Sequence, residues 1–174
     1  MNLTKSKTPS VEQLIEAFDL MPHPEGGYFK ETYRADEQAK QSALPNRFKG
    51  DRSFSTAIYY LLPEGAKSCL HRIASDEIWH FYLGGPLVVV EILPDGSHKK
   101  TVLGQDLSHG QNVQYVVRAG HWFGAFPQEG AGYSFVGCTV APGFDFSDFE
   151  MGNRSQLIAQ YPRAQKEIEQ LTNQ

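Results

Sequence analysis

The chain has 174 residues, 40% of them hydrophobic and 21% charged, with a formal net charge of -4 at neutral pH. Such a length and composition suit one ordinary globular domain over residues 1–174, with a core large enough to need no disulfides, and exclude a disordered or fibrous chain. The acidic balance speaks against a surface for nucleic-acid phosphates, no apolar run reaches membrane-spanning length, and no apolar leader follows Lys5 and Lys7. The expected setting is therefore the cytoplasm, with neither nucleic acid nor a membrane as partner.

Ser10 and Gln13 form a capping-box signal, and Val11, Leu14, Ile15 and Phe18 share one face at helical spacing, which predicts a helix over 11–20. Pro22 and Pro24 end it. After Gly26-Gly27, a turn that introduces Tyr28 and Phe29, alternating aromatic and polar residues to Tyr33 predict a strand. Residues 35–52 are polar and read as a mobile loop. From Phe54 to Phe149 short β-rich runs alternate with turns, as in an all-β sandwich or barrel. The runs are Thr56 to Leu62, Ser68 to Ile73, Glu77 to Leu83, Leu87 to Leu93, Lys99 to Leu103, Gln111 to Val117, Trp122 to Phe126 and Tyr133 to Val140. Asn153 with Gln156 caps a short helix, and Pro162 opens a last one with Ala164, Ile168 and Leu171 inward, placing C-terminal helices within 153–172. Cys69 and Cys138 lack CxxC spacing and read as buried free thiols, with a disulfide between them left open.

The segment that carries chemistry runs from Gly65 to Gly84 and contains His71, Ile73 and Glu77. Residues two apart on a strand share a face, so Cys69, His71 and Ile73 are expected to point together, with Glu77 returning to the same interior on the next strand. The spacing of Gly65, His71, Glu77 and Gly84 resembles the first signature of the cupin superfamily, G-x5-H-x-H-x3-E-x6-G, with Ile73 in place of the second histidine. Arg118 to Phe123 resembles the second signature, with Phe123 in place of its ligand histidine. Two of the usual four metal ligands are thus absent, and no metal or other cofactor is expected.

Almost the whole chain is similar to the cupin-5 family, formerly a domain of unknown function, through Pro22 to Phe29, Ser75 to Tyr82 with Gly84, Ala119 to Ala125, and Pro142 to Phe149. The resemblance implies a double-stranded β-helix, the jelly-roll cupin barrel, usually paired as a homodimer. It also implies a cavity like that of metal-independent sugar epimerases, and it carries no established activity.

The leading expectation is a small-molecule-binding cupin that moves protons on a sugar-like or carboxylated substrate. His71 would be the general acid or base and Glu77 would orient and charge-tune it. Around them, Tyr28, Tyr59 and Tyr133 are alternative partner acids, Trp79, Phe81 and Phe123 candidate walls, and His80 and His121 further candidate contacts. His80 lies three residues after Glu77, so strict alternation turns it outward unless a bulge intervenes. The rival readings are a metal-dependent cupin using His71, Glu77 and a relocated His80 or His121, and a non-catalytic ligand-binding protein. Asp145 and Asp148 read equally as pocket-mouth residues or a solvated return loop, and Arg72 as outward-facing.

Overall fold

Ser10 and Gln13 close the predicted capping box in both directions, at 3.2 and 2.9 Å, and start helix α1 (Val11–Phe18). The computed structural model describes residues 8–173, so Lys5 and Lys7 lie outside the described residues. Thirteen strands follow among the described residues: β1 (Met21–Pro22), β2 (Tyr28–Arg34), β3 (Gln38–Ala39), β4 (Arg52–Ser53), β5 (Thr56–Pro63), β6 (Ser68–Arg72), β7 (Asp76–Gly84), β8 (Leu87–Ile92), β9 (His98–Leu103), β10 (Gln114–Val117), β11 (Trp122–Pro127), β12 (Tyr133–Ala141) and β13 (Glu150–Met151). The chain ends in α2 (Arg154–Gln160), capped by Asn153, and α3 (Gln165–Leu171), entered through a 3₁₀ turn at Pro162–Ala164. No helix among the described residues is long and apolar enough to cross a membrane.

Two antiparallel sheets face each other, one in the order β1-β2-β5-β12-β7-β10 and the other β13-β6-β11-β8-β9. This is the jelly-roll architecture expected from the sequence, in which alternation along each strand sorts side chains between the interior and two outer layers. On β8, Leu87 and Val89 enter the interior core with Tyr60, Trp79 and Phe123. Val88, Val90 and Ile92 turn outward and are covered by Leu157, Ala164, Ile168 and Leu171 of the C-terminal segment. On β5, Leu61 faces outward beneath Leu14 and Leu20, so α1 covers the other sheet as the C-terminal helices cover this one.

The expectation of a mobile loop over 35–52 is corrected. Strands β3 and β4 pair there, and Phe48 is fully buried with the guanidiniums of Arg47 and Arg52 over its ring at 5.1 and 5.9 Å. Arg52 forks onto both Asp148 oxygens at 2.7 and 2.6 Å, and both side chains are 5% exposed. One apolar anchor and one long-range ion pair therefore order a polar segment whose composition alone points to a loop. Asp148 is accordingly a structural counterion and not a solvated residue.

Removing one member of a buried ion pair strands the other, typically at ~3–5 kcal/mol. Arg52→Leu is therefore expected to lower unfolding stability in urea by about that amount, and the double change Arg52→Leu with Asp148→Leu to recover most of it. Equal losses in the single and double variants would show that the pair contributes through packing alone.

Candidate functional site

A cavity of about 280 Å³ opens between β2, β5, β6 and the segment following β12. Its apolar wall includes Phe29, Ile58, Ile73, Val140, Phe144 and Phe146; of its polar groups Glu25, His71 and Glu77 are buried, while Glu31, Arg34 and Asp145 are exposed. His71 and Glu77 both reach it, as expected, and both are buried.

Glu25 holds the polar side of the cavity together. Its Oε1 accepts from Ser68 Oγ at 3.0 Å and its Oε2 lies 3.1 Å from His71 Nε2, while the other ring nitrogen of His71 donates to the Cys69 carbonyl at 2.8 Å. The expected pairing of His71 with Glu77 is thus corrected: the partner of His71 is Glu25. Both nitrogens of His71 are taken by these contacts, so this ring acts through Glu25 and has no free nitrogen for a substrate. The Gly26-Gly27 turn makes the pair possible. Gly26 has φ +112, and a Cβ there would run into the Lys67 carbonyl, so only glycine lets the turn lie flat enough on β6 for Cys69 N–H to bond Glu25 O at 2.8 Å.

The strand parity around His71 is broken by a bulge. Phe123 and Ala125 on β11 pair with His71 and Ser68 on β6, so Gly124 alone opposes Cys69 and Leu70. A Cβ at Gly124 would stand 2.6 Å from the Ser68 carbonyl oxygen. The bulge turns Ser68 and His71 toward Glu25 and moves Cys69 out to a surface depression beside Asn173, correcting the expectation that Cys69 shares the His71 face. Cys69 and Cys138 are both free and buried, and Cys138 lines the cavity.

Glu77 is the chemically unusual group. The residue is 8% exposed, and its carboxyl sits beside the Cys138 thiol and meets no cation among the described residues. Burial, and then the charge of Glu25, push its pKa up to about 8, so at neutral pH it is mostly a carboxylic acid. The same burial, with Glu77 adding to it, raises the Cys138 thiol well above its usual range. His23 completes the polar set. Its Nδ1 accepts the Glu25 N–H at 3.2 Å, which leaves the ring hydrogen on Nε2, and burial, with the neighbouring His71, keeps it below the usual imidazole range against the pull of Glu25. At the mouth Arg34 bonds both oxygens of Glu31 at 3.0 and 2.7 Å and the Phe144 carbonyl at 3.2 Å. Asp145 also lines this rim, which favours the first of its two readings.

The remaining expected contacts lie elsewhere. Tyr28, Tyr59 and Tyr133 belong to the outer cluster under α1, because the strand alternation that turns Tyr60 inward turns Tyr59 out; the tyrosine on the cavity is Tyr60, whose hydroxyl donates to Gly26 O at 2.7 Å. His80 faces outward between Thr139 and Gln114, at 3.0 and 3.1 Å, as unbroken alternation requires. His121 is taken by Glu91 at 2.5 Å, and Tyr115 donates to the other oxygen of that carboxylate at 2.5 Å. Phe81 packs in the interior core. Trp79 stands between Cys138 and Tyr115 in one sheet, and Phe123 between His71 and Glu91 in the other. Their rings meet edge to face at 6.3 Å, forming a partition behind the cavity rather than its lining.

The donor set does not fit the metal centre of metal-binding cupins. Ile73 and Phe123 occupy two ligand positions, His71 has no free nitrogen, and His80 and His121 are held away from Glu77. Among the described residues no three His, Cys, Asp or Glu side chains are placed to hold an ion.

The family model described as Cupin superfamily (DUF985) matches residues 12–152. The chain belongs to this family. It is 36% identical over 148 residues to the uncharacterised protein YML079W of Saccharomyces cerevisiae, covering 80% of this chain and 73% of that one. Among solved structures, a hypothetical protein from Leishmania major superposes with a TM-score of 0.86 at 33% identity, over 95% of this chain and 100% of that one. A protein from Shewanella oneidensis gives the same TM-score and identity, over 95% and 99% of the two chains. Oxalate decarboxylase from Bacillus subtilis is similar at a TM-score of 0.53 and 15% identity, over 87% of this chain and 36% of that one, a likeness of fold alone.

A carboxyl whose pKa rises on folding binds its proton more tightly in the native state. Glu77 therefore makes stability fall as pH rises from the usual 4.5 to about 8, with the full penalty present above 8. The shift corresponds to roughly 3–5 kcal/mol over that window. Glu77→Gln carries no such penalty, so urea unfolding at pH 5 and pH 9 should show the variant gaining on the wild type by about that amount at the higher pH. Parallel pH profiles would mean that Glu77 titrates normally in the fold.

Proposed function

We propose that the cavity binds a small polar molecule and that Glu77 exchanges a proton with it, in metal-independent chemistry of the isomerase or epimerase kind. The observation behind this reading is a buried carboxyl facing the cavity, paired with no protein cation and titrating near physiological pH, beside a second carboxyl, Glu25, fixed in a pair with His71. Two carboxyls in one site with different environments can divide acid and base roles. In this reading Glu77 is the acid, His23 Nε2–H polarises a ligand oxygen, and burial together with the neighbouring Glu25 carboxylate keeps Glu77 protonated.

Glu25, Cys138, His71, His23 and Tyr60 line the same cavity as Glu77, whose pKa is pushed up to about 8. Ligand affinity, read as a thermal shift against a metabolite-sized panel, should fall as pH rises through about 8, and Glu77→Gln should flatten that dependence. At pH 5, where Glu77 is protonated in the fold with little penalty, the same variant should cost under about 1.5 kcal/mol of stability while weakening binding, because water in the cavity can meet the amide. A large stability loss with ligand shifts intact would mark Glu77 as structural. Turnover of a bound compound, lost in Glu77→Gln, would separate an enzyme from a protein that only binds.

The same proposal includes a homodimer. Strand β1 covers β2 only at Tyr28 and Phe29, so Lys30 to Arg34 keep a free edge beside the exposed Tyr33, and a second copy can close it. Light scattering at micromolar concentration checks this, and a monomeric mass would reject it.

A further inference from the structure

The charged groups on the cavity wall are unevenly matched. Four carboxyls line it, those of Glu25, Glu31, Glu77 and Asp145, and every cation among the described lining residues is already taken. Arg34 uses Nε and Nη2 on Glu31 and Nη1 on the Phe144 carbonyl. His71 is held between Glu25 and the Cys69 carbonyl. His23 accepts a backbone N–H at Nδ1, so its ring is neutral in that arrangement.

What the protein leaves unused are hydrogen-bond donors. The Nε2–H of His23 meets no acceptor among the described residues, and the Glu77 carboxyl, which accepts from the Cys138 thiol, has none for its own acid hydrogen. Both groups line a largely apolar cavity, where a donor without a partner costs free energy until something supplies an acceptor. A ligand oxygen answers that need. An anionic oxygen does not, because it would enter beside Glu25 and Asp145 with no free cation to offset its desolvation. A cationic ligand would draw the proton off Glu77 and remove one of the two donors.

We infer that the cavity takes an uncharged carbonyl or hydroxyl compound, held through its oxygens by His23 and Glu77, and turns away carboxylates and phosphates of the same shape. This rests on the reading of the cavity as a small-molecule site and narrows the sugar-like or carboxylated substrate expected from the sequence to its uncharged half. Arg34 becomes a selectivity residue through its pairing: as long as Glu31 holds it, the rim offers an incoming anion nothing.

The test uses shape-matched probes that differ in charge: glucose, glucuronate and glucosamine; benzaldehyde, benzoate and benzylamine; cyclohexanone and cyclohexanecarboxylate. Binding to the intact protein at pH 7 is read by saturation-transfer NMR and calorimetry, with Ile58→Trp, which fills the cavity, as the control for location. The expected result is binding by a neutral member of at least one set, with its carboxylate partner weaker by at least about tenfold. Glu31→Gln, which frees Arg34, should narrow that gap severalfold. A carboxylate or amine that binds as tightly as its neutral counterpart, at a place closed by Ile58→Trp, would overturn the inference and leave the small-molecule site standing. Failure of every probe, whatever its charge, would count against the small-molecule site itself and would take the inference with it.

Discussion

The carboxylate of Glu25 is held inside the barrel by Ser68 and His71, while its own backbone carbonyl takes the Cys69 N–H. That one residue ties the β1–β2 turn to β6 and fixes a negative charge within reach of Glu77. The charge and the burial act in the same direction on Glu77, since both oppose a second ionised carboxyl in a small space. The protonated acid in the cavity is therefore a consequence of how the turn is docked. Gly26 is as necessary to it as either glutamate, because a side chain there would lift Glu25 away from β6.

The barrel interior is divided by the same logic of neighbours. Trp79 and Phe123 occupy equivalent places in the two sheets, each between a cavity residue and a member of the Glu91, Tyr115 and His121 cluster. That second cluster is closed on itself, with both Glu91 oxygens bonded by its two partners. It clamps β8, β10 and the start of β11, and it leaves no carboxyl in want of a proton. The contrast explains why the cavity acid is the chemically open one of this pair: Glu91 is bonded at both oxygens, whereas Glu77 meets only the Cys138 thiol and no cation among the described residues.

The fold was largely legible because the eight β-rich runs are short and bounded by turn residues, several of them with alternation, and because the caps of α1 and α2 are written in side chains that can reach the backbone. The candidate site was legible only where it follows that alternation. His71 and Glu77 were found from spacing, and His80 was correctly in doubt because its parity conflicts with that of Glu77. Glu25 and His23 were missed. They sit in a proline- and glycine-bounded turn whose sequence shows a bend but not the surface it docks on. The choice among tyrosines failed for a smaller reason: Tyr59 and Tyr60 are adjacent, and the strand phase that decides between them becomes firm only when Thr56, Ile58 and Tyr60 are read together as the inward set. The Cys69 error has a physical cause as well, since a bulge shifts parity by one and Gly124, its enabling residue, lies on the neighbouring strand.

The two departures from the metal-binding pattern, Ile73 and Phe123, belong to this account as well. Where metal-binding cupins place imidazoles, this chain places an aliphatic side chain on the cavity wall and an aromatic ring 4.1 Å from the centroid of His71. Both remove polar surface from around the retained histidine and glutamate. A metal ion would hold Glu77 ionised; an apolar neighbour favours its proton. Exchanging ligands for hydrocarbon thus converts the same glutamate from a coordinating anion into a neutral acid, and it leaves His71 to be satisfied by a carboxylate from a different strand turn.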